Sequence, residues 1–170
     1  MATITTLAAG LAGAIGCHYL GSANRLYFVE YGGRLSSYDF VRPLDATLLN
    51  NVARTLHGTW EMNLDTGVEG SAGANIWWEQ IDGVKRRMVP RGGARIAFMG
   101  VMSTTQFAAV GPAELQQLKY VTTPIVGDNN VLNLLKPGAV FAVRTSAGYY
   151  SKVRVVTYGY DLSVRISTYR

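Results

Sequence analysis

The chain has 170 residues, enough for one domain or two small ones with a sizeable core. Hydrophobic residues make up 48% and charged residues 16%, with 19 Gly and 10 Tyr, which excludes a disordered chain and favours a β-rich one. The net charge of +5 admits an anionic partner but also lies within the range of about 2–8 common for small domains, and the single cysteine, Cys17, excludes an intrachain disulfide and a Cys-based zinc site.

Residues 4–7 can form a first strand, residues 8–16 are small and Gly-rich, and residues 15–20 form a second short strand. Residues 1–16 are apolar but have no basic n-region, so no cleaved signal is expected. No stretch approaches the roughly 20 apolar residues of a spanning helix. Gly21-Ser-Ala-Asn24 is turn chemistry. Residues 26–31 are apolar on both faces, Gly32-Gly33 permits a tight hairpin, and residues 34–40 alternate cleanly.

The run Asn24-Arg-Leu-Tyr-Phe-Val-Glu-Tyr-Gly-Gly-Arg-Leu-Ser-Ser-Tyr-Asp39, with its lead-in Ile15-Gly16, resembles β-propeller repeats of the NHL and lipoprotein-receptor types. The resemblance covers residues 3–52, with residues 45–52 similar to the opening strand of a following blade. It implies a propeller-blade-like sheet and says nothing of a ligand. A blade is about 40 residues and a ring needs several. No second copy follows here, so either the blade is used alone on another sheet or several chains each contribute one.

Beyond Leu56 the pattern changes. Residues 57–65 read as a half-buried strand with Trp60, Met62 and Leu64 on one face. Residues 67–74 read as a loop. Residues 75–81 and 84–89 read as a hairpin about Asp82-Gly83. Pro90-Arg-Gly-Gly93 breaks the sheet before an apolar strand at 94–102. Residues 103–120 form the one helical insertion, with Thr104 or Thr105 as cap and Pro112 early in a second turn. Residues 122–137 are mostly loop. Residues 140–145, 149–158 and 160–169 form a three-stranded meander whose Arg144, Lys152, Arg154, Arg165 and Arg170 make one face basic. Its first hairpin resembles a bacterial β-module found in multi-domain extracellular proteins of undefined role.

The candidate chemistry is sparse. His18 and His57 have no metal-ligand spacing, and His18 and Cys17 point to opposite faces of a strand. Gly32-Gly33 and Gly92-Gly93 lack the strand–loop–helix context of a phosphate loop, and Gly127-Asp-Asn-Asn130 lacks calcium-loop spacing. Glu61 and Glu79 are the one carboxylate pair on adjacent strands that could suit glycoside hydrolysis, although two solvent-facing residues explain them better. Trp77 and Trp78 are the leading ligand candidates, because an exposed indole stacks on sugars or anchors interfaces. Tyr149 and Tyr150, interleaved with the basic residues of the meander, join them; such a face could bind single strands, but no RNA-recognition signature is present. Lys85, Arg86, Arg87, Arg91 and Arg95 form the densest basic group and the candidate anion site.

The expectation is an all-β protein with one short helical insertion, built from a blade-like segment at 1–52 and a β-sandwich-like or partly closed barrel domain at 56–170. The function expected is non-catalytic: a self-assembling, symmetric homo-oligomer with no cofactor, metal or membrane span, and a carbohydrate-binding lectin as its leading use. A particle-forming subunit or an anion-binding module is the alternative, and a glycosidase is least favoured.

Overall fold

The computed structural model describes residues 47–170 in full and, before them, the backbone of the strands β1 (Ala14–Leu20), β2 (Arg25–Glu30) and β3 (Leu35–Asp39). The protein is all-β: among the described residues strands dominate, with two short helices. The chain divides into two units at Arg42/Pro43. The predicted strand at 4–7 and the Gly32-Gly33 turn lie outside the described residues.

In the first unit β1, β2 and β3 form an antiparallel sheet in chain order. Cys17 pairs with Phe28 and Tyr27 with Ser37.

The second unit is a two-layer sandwich. Its first sheet contains β5 (Glu61–Asn63), β6 (Val68–Glu69), β7 (Ile76–Gln80), β8 (Arg86–Pro90) and β10 (Ile125–Val126), in the order β10-β8-β7-β5-β6. Its second sheet contains β4 (Leu48–Leu56), β9 (Arg95–Val101), β11 (Ala139–Arg144), β12 (Tyr150–Thr157) and β13 (Leu162–Tyr169), in the order β4-β13-β12-β11-β9. Strand β4 runs across the boundary expected near residue 52. It is the edge strand of the second sheet, paired along β13 from Leu48↔Tyr169 to Leu56↔Leu162.

Period-two alternation drives the two sheets together. Met62, Ile76, Trp78 and Met88 from one sheet meet Phe141, Val143, Val153, Val155, Val164 and Ile166 from the other. Trp78 is the largest buried side chain, and its indole donates to the Tyr160 carbonyl at 2.8 Å. Gly127 lies flat against that ring: a Cβ there would come within 2.7 Å of it. Polar groups also join the layers, which they must do when buried. The Thr168 hydroxyl donates to the Leu64 carbonyl at 2.6 Å and lies 2.7 Å from Ser151 Oγ, while Asn75 Oδ1 accepts from Leu64 N–H.

Gly92 and Gly93, at φ 59° and 87°, carry the chain from the first sheet into the second. Only glycine fits at Gly92, where a Cβ would lie 2.8 Å from the Ala74 carbonyl oxygen.

The helical insertion comprises α1 (Thr104–Ala109) and α2 (Pro112–Gln116). Ser103, rather than Thr104 or Thr105, caps α1 through a reciprocal capping box with Gln106. Val110 and Leu115 pack on Ala142, so the insertion covers a portion of the outer face of the second sheet. Lys152 fastens it there. This lysine is 2% exposed, and its ammonium donates to the carbonyls of Phe107 at 2.8 Å, Ala108 at 3.3 Å and Val110 at 2.6 Å, the acceptors left open where α1 ends. Burial pushes the Lys152 pKa down, and Glu114 opposes that shift.

Candidate functional site

The outer face of the first sheet holds the residues with a defined chemical arrangement. Antiparallel pairing sets Glu61 opposite Trp77 and Glu79 opposite Arg87. Glu61 accepts a hydrogen bond from Arg91 at 2.7 Å, and Glu79 is ion-paired with Arg87. That hydrogen bond from Arg87 to Glu79 raises the guanidinium pKa above its ordinary value. The Arg91 guanidinium lies 5.3 Å from the centre of the Trp77 ring, while the Trp77 indole N–H donates to the Thr59 carbonyl at 3.0 Å. Beside them is a shallow cleft of about 290 Å³, lined by Glu61, Ser71, Arg91 and Ser146 and by the backbone of Gly73 and Gly92.

Trp60 stands near this face for a reason the sequence hides. Alternation alone places it on a buried face with Met62 and Leu64, yet it is 53% exposed while they are fully buried. Regular strand begins only at Glu61, and Thr59 holds φ 71°, a left-handed conformation that costs a β-branched residue on the order of 1–3 kcal/mol. That bend turns Trp60 outward, with its ring 6.1 Å from His57. His57 Nδ1 is 2.8 Å from Glu69, whose hydrogen bond and charge raise the imidazole pKa.

The four ligand candidates do not form one site. Trp77 is half-buried on the outer face of the first sheet. Trp78 lies wholly between the sheets and cannot meet a ligand. Tyr150 packs against Tyr120 on the outer face of the second sheet, with ring centres 5.9 Å apart. Tyr149 sits in the turn before β12, its backbone closed onto Thr145. Burial and the neighbouring Tyr150 push the Tyr120 phenol well above its ordinary range.

The basic group is also dispersed. Lys85 is in the turn organised by Asp82, whose carboxylate accepts from the backbone N–H groups of Lys85 and Val84 and is held below its ordinary pKa by them. Arg86 is half-buried against Tyr158, with its guanidinium 5.8 Å from the ring centre. Arg87 and Arg91 are neutralised by Glu79 and Glu61. Arg95 belongs to the other sheet, where it lies opposite Arg144. Successive residues of β8 face opposite ways, and the Gly92-Gly93 crossing then changes sheet, so a sequence cluster becomes four separate environments.

Among the described residues, no three of His, Cys, Asp and Glu converge as metal ligands, and no helix is long and apolar enough to cross a membrane. No protein-family model matches the chain, and no curated protein or solved structure is similar enough to match it. The class that the fold defines is therefore an all-β protein whose main unit is a two-sheet antiparallel sandwich.

Proposed function

We propose that this chain is a non-catalytic, self-assembling β-protein that works as a symmetric homo-oligomer and contacts carbohydrate through the cleft beside Trp77. The observation that carries the reading is the Glu61–Arg91 pair at the rim of that cleft, next to a half-buried indole. A carboxylate and a guanidinium that fix each other present acceptors and donors in one place, the set that neighbouring sugar hydroxyls match. The indole supplies a flat apolar surface for the ring. Both carboxylates that could have formed a glycosidase pair are engaged by arginine, which favours binding over hydrolysis.

Assembly is supported by strand β4. It supplies nine residues at the edge of the second sheet and contains neither the proline nor the lysine that blunts an edge. Copies joined by strand pairing, or by blade-like first units closing one ring, would repeat the cleft around an axis. Repetition raises a weak single-site affinity. If β4 serves assembly alone, the chain is a particle-forming subunit without a small ligand.

The test is native mass spectrometry followed by a glycan array. A single species of defined subunit number, with glycan signal lost in Arg91→Ala, is expected. A monomer defeats the assembly reading. A defined oligomer with no reproducible glycan hit leaves the particle-forming subunit and removes the lectin.

A further inference from the structure

The second sheet carries an arrangement that the first sheet avoids. The β12–β13 register places Arg154 directly opposite Arg165. Like charges at directly opposed positions repel, so such a pair destabilises a sheet unless something compensates it. Among the described residues, neither arginine has a carboxylate partner. Each is instead held by its Nε: Arg154 donates to the Met102 carbonyl and Arg165 to Asn51 Oδ1, both at 3.2 Å. Ser167 Oγ donates to the same Asn51 oxygen and fixes it further. Both guanidiniums are thus positioned through Nε, with their terminal amino groups left for another acceptor.

These two residues line a depression of about 460 Å³ between α1 and the β4 edge. That volume falls in the range of about 300–1,000 Å³ common for small-molecule sites. Lys152 also lines it, but its hydrogen bonds are spent on the end of α1, so it contributes charge rather than a free donor. Among the described residues, no acidic side chain lines the depression. Leu48, Ala53 and Val156 form an apolar strip along its wall, with Asn51, Thr104 and Ser167 adding neutral polar groups; Leu48 and Val156 are each nearly half exposed.

We propose that this depression binds an organic anion. A carboxylate or phosphate head would lie between the two guanidiniums, and an apolar tail would run over Leu48, Ala53 and Val156. Arginine's planar fork suits both head groups, and an anion there turns the Arg154–Arg165 repulsion into a bridged contact. The site is on the sheet opposite the cleft beside Trp77 and does not depend on the carbohydrate reading.

Calorimetric titration of the whole protein with hexanoate and with hexyl phosphate tests this, with hexanol and inorganic phosphate as probes of tail and head alone. At least one amphiphilic anion is expected to bind ten-fold or more tightly than either half-probe. The better of the two identifies the head group. Arg165→Gln and Arg154→Gln should each weaken it at least ten-fold, while Arg144→Gln, at the other opposed arginine pair, should change it less than two-fold. The anion should raise Tm in the wild type and not in the two variants. Equal binding of hexanol, unchanged affinity in a folded Arg165→Gln protein, or no binding of either anion at millimolar concentration would overturn the proposal.

Discussion

The two outer faces of the sandwich use the same cation in opposite ways. On the outer face of the first sheet Arg87 has a carboxylate across the strand in Glu79, and Arg91 has one beside it in Glu61. On the second sheet arginine faces arginine, Arg154 with Arg165 and Arg95 with Arg144. The first face is electrostatically closed on itself and offers shape and hydrogen bonds. The second holds positive charge with no carboxylate partner among the described residues. A buried cation can also be held by neutral hydrogen-bond acceptors: Lys152 rests on backbone carbonyls.

The largest effect that separates these modes is expected at Lys152. Lys152→Ala leaves three carbonyls at the end of α1 without their donor and unfastens the helical insertion. The loss should be about 3 kcal/mol, since a charge-assisted bond is worth about 1.5–3 and orphaned acceptors add to that. Urea denaturation measures it; a loss below about 1 kcal/mol would mean that the ammonium is not what holds the insertion.

A smaller effect belongs to the first face. Glu79→Gln should cost about 0.2–1 kcal/mol in the same assay, the usual worth of an exposed ion pair, and the cost should shrink as salt is added. The second face should respond with the opposite sign. Arg165→Gln is expected to stabilise the ligand-free protein by a few tenths of a kcal/mol, because it removes a like-charge cross-strand contact. That gain should also fade in salt. If both substitutions destabilise, the two faces do not differ in the way described.

Much of the fold was legible in the sequence because alternation and turn chemistry are local. The Asp82-Gly83 hairpin, the closing meander and the position of Pro112 in α2 all follow from residues within a few positions of one another. The basic face of the meander was legible for the same reason: Lys152 and Arg154 share a side by period two. What escaped was register and sheet membership. Nothing local shows that Arg154 meets Arg165, since that depends on how the β12–β13 turn closes and on the irregularity between Val155 and Thr157. Residues 45–52 resemble the opening strand of a following blade, and nothing local shows that Leu48–Leu56 pairs with β13, more than a hundred residues away. The exposure of Trp60 was hidden in one backbone angle at Thr59.

The pairing of β4 with β13 has a mechanical consequence. Leu48 at the start of β4 lies opposite Tyr169 at the end of β13, and Arg170 N–H closes onto the Thr47 carbonyl at 3.0 Å. A tension applied between the two ends of the sandwich therefore acts at one end of this ladder and across it. Its hydrogen bonds would break in succession, like a zip, and never bear the load together. In an optical trap the sandwich should yield at low force when pulled through residues 47 and 170, yet resist when pulled through residues 56 and 170, which load the same two strands in shear.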